Sequence, residues 1–278
     1  MLPTVFAYRD DGPQAEMTRW KPRRVFCTLE ADHRDAPGTL YVVKFASGQA
    51  GAAALISETV STRLFALAGC GTLTPAIVRA SEGFAASFNR KSDYPGPISH
   101  GDYYGTLHRD DVEAGPPPGY DDLAQPLELL RLWVLDSWLC NIDREIEGNI
   151  LLTLATKGRF HLIAADQSDC FCGASVFCSS GFRNAMKNRG PAPSVSFLPY
   201  VIFKHGGPNV IRKTAAEVRG ILPRLPEILG LIPESWWQRS GLTPKIVYEA
   251  LVARANRLED ILNPSQWEVP NADSAILL

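Results

Sequence analysis

Between Asn141 and Phe171 the chain reads NIDREIEGNILLTLATKGRFHLIAADQSDCF, and its polar residues are spaced around two apolar runs. Asn149–Leu154 and Arg159–Ala164 are short and strand-like, joined by the turn residues Thr156-Lys-Gly158. Asp143 precedes the first run, Asn149 opens it, and Asp166 follows the second. A hairpin built this way gathers all three groups at one end of two paired strands. Phosphoryl transfer needs such a set: one carboxylate to accept or orient the attacking hydroxyl, and an amide oxygen with a second carboxylate to hold Mg²⁺ against nucleotide phosphates.

Working outward, Leu127–Leu139 is apolar nearly all round and begins after Pro126, which predicts a buried helix. Upstream, Arg24–Glu30 and Thr39–Phe45 are rich in β-branched and aromatic residues, as expected of a hairpin. Gly48-Gln-Ala-Gly51 breaks the second strand, and the apolar spacing over 52–68 predicts a helix ended by Gly69 and Gly71. Pro75–Arg79 reads as a return strand. Lys44 ends a β-branched strand, and Glu58 lies in the helix after it. A lysine on the α/β-phosphates, steadied by a helical glutamate, is the other half of a kinase-type site. Ser47, Gly48 and Gly51 offer backbone amides to phosphate near that helix start.

Residues 90–120 are rich in Pro, Gly and Tyr with little periodicity and read as a long connection or insertion, and 172–210 reads as irregular. Helical patterns return over 211–229, 233–239 and 243–262. The expected organisation is α+β: a β-rich part over 1–85, a connection over 86–120, and a mostly helical part with the central hairpin over 121–278.

The order Val-Val-Lys44-Phe, Glu58, Asn141-x-Asp143-Arg144, Gly148-Asn149-Ile-Leu-Leu and Asp166-x-x-x-Cys-Phe171 resembles the HipA-like kinases, distant relatives of the phosphatidylinositol 3-/4-kinases. The likeness spans about residues 23–175. It implies a bilobal protein-kinase-like fold, with ATP and Mg²⁺ as cofactors and a Ser/Thr hydroxyl of a protein as acceptor. Asp143 would be the catalytic base, Lys44 and Glu58 the phosphate-contacting pair, Arg144 a further nucleotide contact, and Asn149 and Asp166 the metal ligands. Asn149 follows Asp143 by six residues, against five in the kinase catalytic loop, and Gln167-Ser168 stand where relatives carry a glycine. A lipid or small-molecule kinase, or an inactive nucleotide-binding scaffold, are the alternative readings. An antitoxin or other regulatory partner is implied by kinship only.

Composition bounds the rest. Lys and Arg (28) nearly balance Asp and Glu (30), which predicts no nucleic-acid footprint. No apolar run is long enough to span a membrane, the first residues lack a secretory pattern, and six cysteines fit a reducing cytoplasm. Cys170-Phe-Cys172 with Cys178 lacks structural-zinc spacing, so free thiols are expected. Tyr94, Tyr103 and Tyr104, with Phe84 and Phe88, read as a loop packed by its own aromatics or as a recognition surface, and Trp236-Trp237 as packing between helices. Hydrolase, zincin and P-loop strings do not occur.

Overall fold

In the computed structural model, residues 2–13, 22–29, 38–46, 48–91, 94, 96–115, 119–144, 149–173 and 180–267 are described. The N-terminal part is a closed barrel of β1 (Thr4–Pro13), β2 (Arg23–Thr28), β3 (Thr39–Lys44), β6 (Gly101–Leu107) and β5 (Pro75–Ala80), hydrogen-bonded in that order. Neighbours are antiparallel except β1 and β5, which run parallel in the register Thr4↔Ile77 to Ala7↔Ala80. That pairing closes the ring and leaves no free strand edge. Val25, Cys27 and Val43 alternate into the barrel interior and are at most 1% exposed.

The expected hairpin is present as β2 and β3, antiparallel with Arg23↔Val43 to Cys27↔Thr39. Two expectations for the N-terminal part are corrected. The region read as a connection over 86–120 contains β6, which pairs with β3 on one side and β5 on the other. Its glycines misled the reading: a Cβ on Gly105 would stand 2.6 Å from Val78 Cγ2, so close strand packing, and not a turn, requires glycine there. The neighbouring aromatics are core. Phe45 meets Phe88 and Tyr103 at centroid distances of 5.0 Å, with Phe84 and Tyr94 around it. They therefore hold the barrel to α2 (Glu82–Lys91) and do not form a recognition surface.

Helix α1 (Gly48–Leu67) starts at the glycine turn that was expected to precede it. A stretch of it from Gly51 through Thr62 is buried without a break, so its polar residues must find partners inside the protein. Ser57 Oγ donates to the carbonyls of Gln167 and Cys170, and Thr62 Oγ1 meets Tyr104 Oη at 3.0 Å.

A second sheet, in the order β4 (Gly71–Thr72), β9 (Phe160–Ala164), β8 (Ile150–Leu154), β7 (Val112–Ala114), contains the predicted hairpin as β8 and β9. Helix α3 (Leu127–Leu139) matches its expected bounds and is buried on all sides from Leu129 to Leu139 apart from Arg131. After β9 comes a single turn, α4 (Cys170–Gly173), with left-handed backbone at Phe171 and Cys172. The region read as irregular over 172–210 holds α5 (Ser180–Asn188) and α6 (Leu198–Lys204). Helices α7 (Pro208–Arg219), α8 (Leu225–Leu229), α9 (Glu234–Ser240), α10 (Pro244–Asn256) and α11 (Leu258–Leu262) complete the helical C-terminal part.

Helix α9 lies against α1. Trp236 is fully buried and its Nε1 donates to the Asp102 carbonyl, while Gln49 Nε2 donates to the Ser240 carbonyl. Trp236 and Trp237 are thus packed between helix and barrel, joining the two parts of the molecule. No described helix is long and apolar enough to cross a membrane.

Candidate active site

Three distant segments converge on Lys44. Its strand delivers the ammonium to Glu58 Oε2 at 2.9 Å, from the third turn of α1, and to Asp166 Oδ1 at 2.6 Å, just past β9. Burial alone would lower the lysine pKa, but the two carboxylates outweigh it and hold Lys44 above its ordinary value. Asp166 is pushed the other way. Burial raises it, yet Lys44 and the Ser168 hydrogen bonds bring it down to about 2. Glu58 remains raised by burial despite Lys44.

Asp166 sits in the left-handed region, with φ at +47°. The loop manages this without glycine. Ser168 donates from both N (3.2 Å) and Oγ (2.5 Å) to Asp166 Oδ1, and the Gln167 side chain is buried where it meets Arg144. All donors that reach Asp166 therefore meet on Oδ1, and Oδ2 accepts no hydrogen bond among the described residues. The Asp166 side chain is 38% exposed, the most open of the three.

The second cluster stands at the start of β8. Asn149 Nδ2 donates to the Asp143 carbonyl at 2.5 Å and to Asp143 Oδ2 at 3.2 Å. Asn141 Oδ1 accepts from the Asp143 amide at 3.0 Å, forming a local turn that positions the aspartate. The lengthened Asp143-to-Asn149 loop thus keeps the two side chains together; residues 145–148 of the loop lie outside the described ones. Burial raises the Asp143 pKa, partly offset by Asn149, and nearby Asp166 pushes it the same way as burial. With its amide nitrogen committed to Asp143, Asn149 has its Oδ1 unengaged among the described residues.

The site residues read from the sequence are thus brought together in part. Lys44, Glu58 and Asp166 form one linked group and Asp143 and Asn149 another. The two are joined through the backbone, where Ala165 N donates to the Asn149 carbonyl at 3.1 Å. Gly48 has φ at +69° in the strand-to-helix turn, and a Cβ there would meet open space. Ser47 lies outside the described residues.

Gly51 is buried, and a Cβ on it would stand 2.6 Å from the Ala46 carbonyl carbon, so the close approach of α1 to the turn after β3 accounts for the glycine. One assignment is corrected. Arg144 is no nucleotide contact. Its guanidinium pairs with both oxygens of Asp136 at 2.8 and 2.9 Å, and donates to the Asn149 carbonyl, to the Ala165 carbonyl at 2.7 Å and to Gln167 Oε1 at 2.6 Å. Burial would lower its pKa, but Asp136 more than compensates.

Asp136, Gln167 and Ser168 were missed in the sequence. Asp136 carried a signal: an acid set inside the apolar run Leu132–Leu139 must have a buried partner.

The donor set suits a hard cation that keeps some of its own waters. Among the described residues no cluster of three or more His, Cys, Asp or Glu forms a closed metal cage. Asn149 Oδ1 and Asp166 Oδ2 are the available oxygens, and one carboxylate with one amide is what Mg²⁺ accepts when phosphates supply the remaining ligands.

No protein-family model and no curated protein matches the chain. Among solved structures, the Helicobacter pylori proinflammatory kinase CtkA is similar at 13% identity and a TM-score of 0.48, over 95% of this chain and 97% of that one.

Proposed function

We propose that this chain is an ATP- and Mg²⁺-dependent kinase that transfers the γ-phosphoryl group to a hydroxyl, a Ser or Thr of a protein acceptor, on a two-lobed kinase-like framework. The observation that carries this reading is Lys44 held between Glu58 and Asp166, with Asp143 and Asn149 at the adjacent strand start. In the proposed lobes, the smaller one runs through β6, because that strand is integral to the barrel.

Each residue then has a task. Lys44, kept charged by its two acids, binds phosphate oxygens, and Glu58 fixes its direction. Asp143, with its raised pKa, takes the proton of the acceptor hydroxyl. Asn149 orients that carboxylate. Asn149 and Asp166 would hold Mg²⁺, which supplies positive charge to the phosphates.

Thermal unfolding with and without ATP and Mg²⁺ is the first test. Ligand at a hundredfold excess over Kd adds about 2.7 kcal/mol, a shift expected for the wild type and absent in Asp166→Ala. Phosphorylation assays follow: Asp143→Asn should lose on the order of 10²–10⁴ in rate while keeping the ATP shift. No shift in the wild type rejects the reading. A shift without turnover favours a nucleotide-binding scaffold.

A further inference from the structure

Cys140 and Cys172 flank the site residues along the sequence, one directly before Asn141 and one in the turn after Asp166. Both have left-handed backbone, with φ at +57° and +61°, and Cys172 N donates to the Cys140 carbonyl at 2.9 Å. A backbone bond of that kind holds the two Cα atoms roughly 5–6 Å apart, inside the range a disulfide spans.

The surroundings favour an anion there. Arg254 is 3% exposed and lies within electrostatic reach of both sulfurs. Its guanidinium donates only to carbonyls, those of Ser137, Met186, Arg189 and Gly190 at 2.6–2.9 Å, and no described carboxylate pairs with it. A buried cation without an acid partner stabilises a neighbouring thiolate. The neighbouring Cys172 thiol, together with this cation, lowers the Cys140 pKa despite burial. A cavity of about 390 Å³ between α5, α10 and α11 has Arg254 and Met186 in its wall.

We propose that Cys140 and Cys172 are a reversible redox pair, closed to an intramolecular disulfide by hydrogen peroxide. The Cys140 thiolate attacks one peroxide oxygen, the O–O bond breaks, and hydroxide leaves with a sulfenic acid formed on Cys140. The Cys172 sulfur then attacks the Cys140 sulfur, and its proton leaves with the displaced hydroxyl as water. Two thiols and one peroxide give one disulfide and two waters. With 1% and 4% of their surfaces exposed, the two thiols are screened from bulky reagents, so the oxidant has to be small. The cross-link stands apart from the phosphoryl-transfer reading. Its consequence for that reading, which does rest on it, is to tie the Asp143 loop to the segment after Asp166.

The test is peptide mapping without reduction, after graded peroxide and alkylation of remaining thiols. The expected product is a Cys140–Cys172 linked peptide, lighter by two hydrogen atoms than the dithiol and released by dithiothreitol. It should form at peroxide doses that leave the half-buried Cys70 reduced. In Cys172→Ser, dimedone present as the peroxide-treated protein is denatured should trap a sulfenic acid on Cys140. The proposal fails if Cys140 and Cys172 are both recovered as alkylated thiols at doses that oxidise Cys70. It fails equally if Cys172 is linked to Cys170 or Cys178.

Discussion

Two buried cations, Lys44 and Arg144, organise neighbouring parts of this molecule in different ways. Arg144 and Asp136 are 4% and 1% exposed, and the guanidinium is saturated by a carboxylate, two carbonyls and an amide oxygen. Lys44 is likewise mostly buried, but its partner Asp166 is 38% exposed and has an oxygen with no partner among the described residues. A saturated guanidinium has nothing left to offer a ligand. An unsaturated cluster at the surface does. The difference teaches that burial and charge pairing alone do not mark a site; spare acceptor capacity with access to solvent does.

The comparison breaks most readily at Asp136. Replacing it by Ala leaves the Arg144 guanidinium buried without its acid, at an expected cost of about 3–5 kcal/mol in urea unfolding. A loss below about 1 kcal/mol would make Arg144 a dispensable brace and erase the contrast. Next in size is Lys44→Met. Glu58 already has a raised pKa and can take up a proton when the lysine is gone, so the stability loss should stay below that of Asp136→Ala. The same variant should lose the Mg²⁺-ATP thermal shift. If Lys44→Met is the more destabilising of the two, Lys44 is a structural cation and the candidate site loses its centre.

The smallest effect is in pH. Asp166 is lowered to about 2, below its unfolded value of about 3.9, so its contribution to stability is fully present above that value. It is lost as pH falls from about 4 through 2. The difference in Tm between wild type and Asp166→Asn should therefore be constant near neutrality and shrink over that acid window. A difference that grows on acidification would contradict the ion pair. For Asp143 the sign is opposite: its raised pKa places the acid limb of the rate profile above the ordinary carboxylate value, and pH–rate measurements would locate it.

How far the sequence could be read depended on the range of the interactions. Helix α3, the β8–β9 hairpin and α1 were legible because spacing, Pro126 and the glycine stops are local signals. Strand β6 was hidden because Gly101 and Gly105 look like turn residues, and only the neighbouring Val78 shows that Gly105 is packed in the barrel. Strand β1 was not singled out either, since its parallel partner β5 lies far along the chain. The kinase-type order of Lys44, Glu58, Asp143, Asn149 and Asp166 could be listed from the sequence, but residue type alone could not tell Arg144 from a nucleotide contact.

The sequence by itself therefore determined the local elements, the α+β order and the five polar residues on which the proposed function depends. Tertiary structure alone decided which of them meet: Lys44 with Asp166 across a separation of 122 residues, Arg144 turned inward to Asp136, and Cys140 set against Cys172. The physical reason is that backbone propensity acts over a few residues. The partner of a buried charge or thiol is chosen by whatever the fold brings within hydrogen-bonding distance.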